Sequence, residues 1–294
     1  MTTTPATPAM TMGSPAEQRA LWSNYPWPEA GDEWSKNWGG SAGLWFGLLY
    51  PRLRHFLHPN GTMNGPNAGR IGHVLEIACG HGRVTQYLAP HAARYTGIDL
   101  VEKCVSYCKD RFAGREGWSF HLTDGKSLDM VEDGSVDLAF SWDSLVHCDH
   151  DVMEAYAHGL ARKLRPGGVA VLHHSNFGED APRLPKEVVQ GRNHRRTPTM
   201  SAALMRQYCR DAGLAAVVQE IVPWGGSKFW LDSLTTIVRP GGDRNAPGAG
   251  PGTRWATAGD VPECKVVYRE DWPTEMQIVR RDSVLYAGVT GEEV

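Results

Sequence analysis

Residues 74–85, Val-Leu-Glu-Ile-Ala-Cys-Gly-His-Gly-Arg-Val-Thr, constrain this chain more than any other stretch. The apolar run 74–77 reads as a buried parallel strand, and Ala78, Gly80 and Gly82 follow it at alternate positions. A helix can then start near Arg83, with Val84 and Leu88 one turn apart on its inner face. A strand that breaks into a small-residue turn and reverses into a helix leaves backbone N–H groups bare. It also lets a ligand come close to the main chain. Asp99 ends the next apolar run, residues 95–98. In a βαβ unit, an acid about 20 residues beyond the glycine turn meets ribose hydroxyls.

Two nucleotide-like cofactors fit this arrangement, and the details separate them. The dinucleotide fingerprint asks for a third glycine where this chain has Thr85, and it rarely carries an acid inside the first strand, where Glu76 sits. The order Glu76-x-Ala78-x-Gly80-x-Gly82, followed by Ile98-Asp99, resembles the class I S-adenosylmethionine-dependent methyltransferases. Ala78 stands where that family usually has its first glycine. The resemblance runs from about residue 71 to residue 239. It implies an α/β fold: a Rossmann-like, seven-stranded, mostly parallel sheet with helices on both faces and the last strand antiparallel. It also implies S-adenosyl-L-methionine as methyl donor and S-adenosyl-L-homocysteine as product. The cofactor contacts implied are Glu76, Ala78, Cys79, Gly80, Gly82 and Arg83 around the turn, then Asp99 and Leu100 at the sugar. Thr123, Asp124 and Gly125 follow, with Asp124 at the adenine amine, and Ser141 and Trp142 lie at the end of the fourth strand.

The flanks divide by composition. Residues 1–18 are low in complexity and predicted to be disordered, and residues 19–70 form a helical lid and linker. Trp22, Trp27, Trp34, Trp38 and Trp45 crowd into this segment, ahead of a helix predicted over 44–57. These indoles either pack a helical extension onto the core or line the ligand pocket. A sulfonium cation is drawn to an indole face by roughly 0.5–2 kcal/mol, and an aromatic acceptor would stack there. Trp34, Trp38 and Trp45 are the candidate acceptor contacts. Residues 60–69 and 240–252, rich in Gly and Pro, read as linkers. The remainder to residue 294 is an appendage with strand-like runs at 264–268 and 276–279.

Within the core, strands are predicted at 118–122, 136–141, 169–172, 215–222 and 229–239. Helices are predicted at 101–112, at 151–164 and at 201–212. Asp151 is expected to cap the middle one, and Arg165-Pro166-Gly167-Gly168 to stop it. Residues 177–198 read as an irregular lid loop holding Lys186, Arg192, His194, Arg195 and Arg196. Arg195 and Arg196 are candidates for an anionic group on the acceptor. Ligands in such sheets bind beyond the strand carboxyl ends, so the turn from Trp142 to His150 should face the transferred methyl. Family members acting on nucleic acids or protein glutamine typically carry an Asn/Asp-Pro-Pro-aromatic motif there. This chain has Ser141-Trp142-Asp143-Ser144, which favours a small acceptor.

Methyl transfer to a hydroxyl, amine or carbon needs a proton removed, and histidine suits that task. His147 is the first candidate for the base and His174 the second, with Asp143 orienting the histidine or acting itself. Alternation along the strand sends His173 and His174 to opposite sides, so at most one should enter the pocket.

The acceptor reading is an aromatic or heterocyclic metabolite, the alternative a sugar or nucleotide sugar. A silent S-adenosylmethionine binder and an NAD-dependent oxidoreductase are the readings from other classes. A net charge of −3 from 30 basic and 33 acidic residues argues against a dedicated nucleic-acid binder. The six cysteines make no zinc pattern, and no metal site is implied. The N-terminus lacks a signal-peptide pattern and there is no run of 18 apolar residues, so a soluble cytoplasmic protein is expected, free of membranes. Self-association into a homodimer stays open.

Overall fold

A computed structural model describes residues 13–58, 70–190, 193–243, 245 and 251–290. Eight strands form one sheet: β1 (Ile71–Ile77), β2 (Ala92–Asp99), β3 (Trp118–Leu122), β4 (Val136–Ser141), β5 (Leu164–Ser175), β6 (Ala215–Val222), β7 (Asp232–Val238) and β8 (Lys265–Tyr268). Their order is β3-β2-β1-β4-β5-β7-β6-β8. Strands β1 to β5 pair in parallel, and β7 runs antiparallel between β5 and β6. The sheet is Rossmann-like as expected, with one strand more than the seven anticipated, because β8 adds in parallel to the edge of β6.

The central strands are apolar on both sides because helices cover both faces, as parallel sheets require. On one face Leu75, Ile77, Ala139 and Leu172 join Tyr156, Leu160, Met205 and Cys209 in a single buried cluster. On the other, Val74, Tyr95, Leu138 and Phe140 pack with Val105, Leu88 and the N-terminal Leu44, Leu48 and Leu53. The tryptophan-rich segment is thus part of one face of the core. Among the described residues, no helix is long and apolar enough to cross a membrane.

Several boundaries differ from the sequence reading. A helix, Pro15–Asn24, begins inside the stretch expected to be disordered, with Ser14 as its N-cap accepting the Glu17 N–H at 3.3 Å. The Gly40–Gly43, Leu44–Leu49 and Tyr50–Leu57 segments run on as one helix, the middle one π-helical. Asp149, not Asp151, occupies the N-cap of the His150–Lys163 helix. Residues 165–168 do not lie in a separate stop, since β5 already starts at Leu164 and absorbs them beside a register shift against β4. The lid loop holds short elements, among them Lys186–Gln190 and a turn at Asn193–Arg195. The run at 276–279 is not a strand, because it lies within a helix, Trp272–Thr290. Arg192, the linker at 60–69 and, of the linker at 240–252, residues 244 and 246–250 fall outside the described residues, as do residues 1–12.

The Trp272–Thr290 helix is tied to the N-terminal one. Arg52 pairs with both Glu220 (2.7 Å) and Glu275 (3.2 Å), and its guanidinium lies 5.7 Å from the centre of the buried Trp272 ring.

The glycine turn is sterically exacting. Gly82 has φ +82°, and a Cβ there would lie 2.6 Å and 2.9 Å from ring atoms of Phe112. Adding the left-handed penalty to the overpacking, Gly82→Ala should cost about 2–4 kcal/mol. Urea unfolding of the variant beside the parent chain measures it.

Candidate active site at the carboxyl edge of the sheet

A cavity of about 550 Å³ opens beyond the carboxyl ends of β1, β2 and β4. Small-molecule sites run from roughly 300 to 1,000 Å³. One wall is the turn after β1, where Ala78 (φ +60°), Gly80 (φ +55°) and Gly82 (φ +82°) alternate in the left-handed region. Ala78, which has a Cβ, adopts the conformation that a glycine would take more easily.

Two carboxylates hold this turn. The Gly80 N–H donates to Asp99 Oδ2 at 2.8 Å, and the Val101 N–H donates to Oδ1 at 2.9 Å. Burial pushes the Asp99 carboxyl up to about 6, with the backbone donors working against it. Glu76 is buried one strand away and accepts the Thr85 hydroxyl at 2.5 Å and the Tyr95 hydroxyl. Burial raises its pKa to about 7, offset in part by those two hydroxyls. Thr85, standing where a dinucleotide site would have glycine, therefore anchors the in-strand acid. The sequence offered Thr85 only as a missing glycine, and Tyr95 not at all.

At the β2–β3 end the wall continues through Leu100, Val101, Thr123 and Gly125. Asp124 is not part of it. Its carboxylate accepts the backbone N–H groups of Ser127 (2.6 Å) and Lys126 (2.8 Å), which hold its pKa below the ordinary value. The loop's own turn chemistry has claimed the side chain. The Pro15–Asn24 helix crosses the mouth here, with Arg19 donating to the carbonyls of Leu100 (3.3 Å) and Thr123 (3.5 Å).

At the β4 end lie Trp142, Asp143, Ser144 and His147. His147 Nδ1 donates to the Arg195 carbonyl at 3.0 Å, so its Nε2 keeps a free lone pair. Burial, then the nearby Arg196 charge, lowers its pKa to about 4. His174 is turned away: fully buried, it donates to the Ser175 carbonyl (2.8 Å) and meets Thr235 Oγ1 (2.7 Å). His173 also lies behind the wall, its Nδ1 accepting the Asp143 N–H (3.1 Å) and its Nε2 facing Asp232 (2.9 Å). Neither of the adjacent histidines lines the main cavity.

Asp143 itself does line it, in the left-handed region (φ +56°), with Arg196 3.4 Å and Arg83 3.5 Å from its two oxygens. Arg196 is engaged more closely by Asp232 at 2.7 Å, and its guanidinium covers the Trp224 ring at 4.9 Å. Burial alone would push the Asp232 carboxyl up, but Arg196 and His173 outweigh it and hold it well below the carboxylate range. Arg195 is exposed at the mouth. Ser141 lies outside the main cavity, its hydroxyl buried without a hydrogen-bond partner.

The tryptophans divide. Trp34 lines the cavity, but Trp38 and Trp45 do not. Trp38 packs against Trp272 and Trp224, and Trp45 stacks on Tyr87 with centroids 6.0 Å apart. Their places in the wall are taken by Trp22 and Trp27. Among the described residues, no group of three His, Cys, Asp or Glu side chains is arranged to hold a metal ion.

Comparison with known proteins agrees with this geometry. Residues 74–168 match a methyltransferase-domain family. Over 97 residues the chain is 35% identical to the phthiotriol/phenolphthiotriol dimycocerosates methyltransferase of Mycobacterium tuberculosis, covering 32% of this chain and 34% of that protein. Over 133 residues it is 31% identical to an S-adenosyl-L-methionine-dependent Diels-Alderase of Talaromyces variabilis, covering 44% and 42%. A methyltransferase of Claviceps purpurea is 30% identical over 100 residues, covering 34% and 30%. The match thus spans about a third of the length of the first two curated relatives. A solved structure, geranyl diphosphate C-methyltransferase of Streptomyces coelicolor A3(2), shares the fold at 16% identity and a TM-score of 0.54, covering 80% of this chain and 100% of that one.

Residues 74–168 are therefore a methyltransferase domain, and the sheet that carries them has the class I S-adenosylmethionine-dependent form. S-adenosylmethionine is the cofactor of that class, and the residues present fit it. A left-handed turn with small residues at 78 and 80 faces the cavity, and a carboxylate stands at the next strand end. The resemblance expects Asp99 at the donor's sugar, and below about pH 6 it gains a proton and loses an acceptor there. Affinity for S-adenosylhomocysteine should then fall by up to about tenfold per pH unit as the pH drops below that value. Asp99→Asn should bind weakly and without that pH dependence. Titration calorimetry between pH 5 and 8 tests both expectations.

Proposed function

We propose that this chain transfers a methyl group from S-adenosylmethionine to a small aromatic or heterocyclic acceptor. One observation carries the reading: a single cavity runs from Asp99 and the glycine turn to Asp143 and His147, walled by the indoles of Trp22, Trp34 and Trp142. Flat indole walls suit a planar acceptor. The M. tuberculosis relative is named a methyltransferase of phthiotriol and phenolphthiotriol dimycocerosates, organic acceptors rather than nucleic acid or protein.

In this proposal Asp99 holds the donor's sugar, while Glu76, Ala78, Cys79, Gly80 and Arg83 surround its methionyl half; Gly82, expected there too, lies behind the wall against Phe112. Leu100, Thr123 and Gly125 border the base. The sulfonium donor supplies a methyl already activated for displacement. The protein's task is to hold nucleophile, methyl and sulfur in line, which alone can supply about 7–11 kcal/mol. His147 Nε2 takes the acceptor's proton. Its Nδ1–H is fixed on the Arg195 carbonyl, so the ring presents its basic nitrogen without a tautomer change.

The nucleotide-sugar alternative rested on Arg195 and Arg196, and Arg196 is already bound to Asp232 and Asp143. A neutral polyhydroxyl acceptor held by Asp143 and His147 is the form of it that this geometry favours. Against an NAD site stands the Thr85 hydroxyl, locked onto Glu76 where a third glycine would be needed.

Incubating the chain with the donor and a panel of phenols, indoles, amines and sugars should yield a product one methyl heavier. Turnover on sugars alone would favour the alternative acceptor. Donor binding without any turnover would mark a silent binder. With an acceptor in hand, His147→Ala should lower kcat by about 10²–10⁴-fold. Because burial holds His147 neutral above about pH 4, the parent's kcat should stay level down to about pH 5. A pH–rate profile checks this.

A further inference from the structure

The segment between the Pro15–Asn24 helix and residue 34 is built unlike the rest of the surface. Trp22, Tyr25, Trp27 and Trp34 are in mutual contact, with centroids 5.3–6.0 Å apart along the chain of contacts, and all four line the cavity. Trp27 lies flat on His81 of the glycine turn at 4.5 Å, and Trp22 reaches His147 at 5.6 Å. The group therefore spans the cavity from the turn after β1 to the β4 end. Arg196 covers Trp224, but no arginine or lysine among the described residues lies over these four rings.

A carboxylate belongs to the same wall. Glu33 Oε2 accepts the Gly31 N–H at 2.9 Å, while its Oε1 is buried without a hydrogen-bond partner. Burial, and then this carboxylate, raises the pKa of the Tyr25 phenol beside it. A carboxylate set in this wall beside electron-rich ring faces favours a positive charge in the cavity.

The backbone is also held in an uncommon shape. Trp27 (φ +50°) and Ala30 (φ +54°) are left-handed although neither is glycine, which is unusual for a bulky residue. Lys103 fastens the segment by donating to the carbonyls of Ser23 (2.7 Å) and Tyr25. Strain kept in place by such anchors marks functional segments more often than idle ones.

We propose that Trp22, Tyr25, Trp27, Trp34 and Glu33 form a cation-reading wall that favours the charged, methyl-bearing donor over its neutral spent form. Lys103 spends its ammonium on the Ser23 and Tyr25 carbonyls and Arg83 pairs with Ser35 (3.1 Å) and Asp143 (3.5 Å), so neither cation covers these rings. The wall then adds affinity before transfer and withdraws it afterwards, when the sulfur loses its charge. The proposal rests on the donor site assigned above.

Calorimetry on the full chain with three probes tests it: S-adenosylmethionine, S-adenosylhomocysteine, and sinefungin, which carries an amine in place of the methyl-sulfonium. All three share the methionyl ammonium and carboxylate, so their differences report the charge at the reacting centre. Trp27→Leu and Glu33→Gln should each weaken the two cationic probes by about tenfold, while S-adenosylhomocysteine changes by less than about twofold. Equal weakening of all three, or no weakening, overturns the proposal and leaves the rings as packing. Should Trp27→Leu fail to fold, the isosteric Glu33→Gln decides. Failure of the parent chain to bind any probe would instead refute the donor site itself.

Discussion

The hydrogen bond from the Gly80 N–H to Asp99 Oδ2, 2.8 Å long, is the constraint on which the site depends. It ties the turn after the central strand to the end of the neighbouring strand, and so defines the edge where a ligand can sit. The second carboxylate works from below. Glu76 lies in the apolar layer between sheet and helices and keeps its place only because Thr85 and Tyr95 aim hydroxyls at it. A buried acid with two donors can be accommodated, whereas one without them would be expensive. The turn is thus pinned from the side and from beneath, and Ala78 is held left-handed against its own preference.

The same principle operates at the other end of the cavity with opposite charges. The buried charges of Asp232 and Arg196 compensate each other, and the His173 ring accepts the Asp143 N–H at Nδ1 while its Nε2 faces Asp232. Removing one member would leave another charge without its partner, the costly case for buried ions. Asp143, with its more distant arginine contacts, is left facing the cavity. The arrangement separates the charged groups that stabilise the wall from those turned toward a ligand.

Much of this was legible in the sequence because period and spacing carry it. The apolar runs gave the parallel strands, and the alternating small residues with Asp99 gave the ligand edge. What could not be read was which side of a loop or helix a side chain takes. Asp124 sits at the predicted strand end, but its Oδ1 accepts the N–H groups of its own turn and the side chain lies outside the cavity. His174 follows His173 by one residue, and strand alternation sends it into the sheet interior, toward Thr235. Trp38 and Trp45 belong to the same tryptophan-rich stretch as Trp34, yet they point into the core because their neighbours form a continuous helix or pack on the distant Trp272. β8 forms within the strand-like run at 264–268, but its place in the sheet was not legible, because four mostly exposed residues carry no mark of their partner until β6 supplies it.

The indoles of Trp38, Trp224 and Trp272 meet in one cluster, joining residues near the start of the chain to a helix some way past the last core strand. Trp224 is also a wall of the cavity. The shape of the chamber is consequently underwritten by contacts between sequence-distant ends, and it can reach its final form only after both have docked. During synthesis the chamber would be among the last features to mature, well after the parallel strands have found one another.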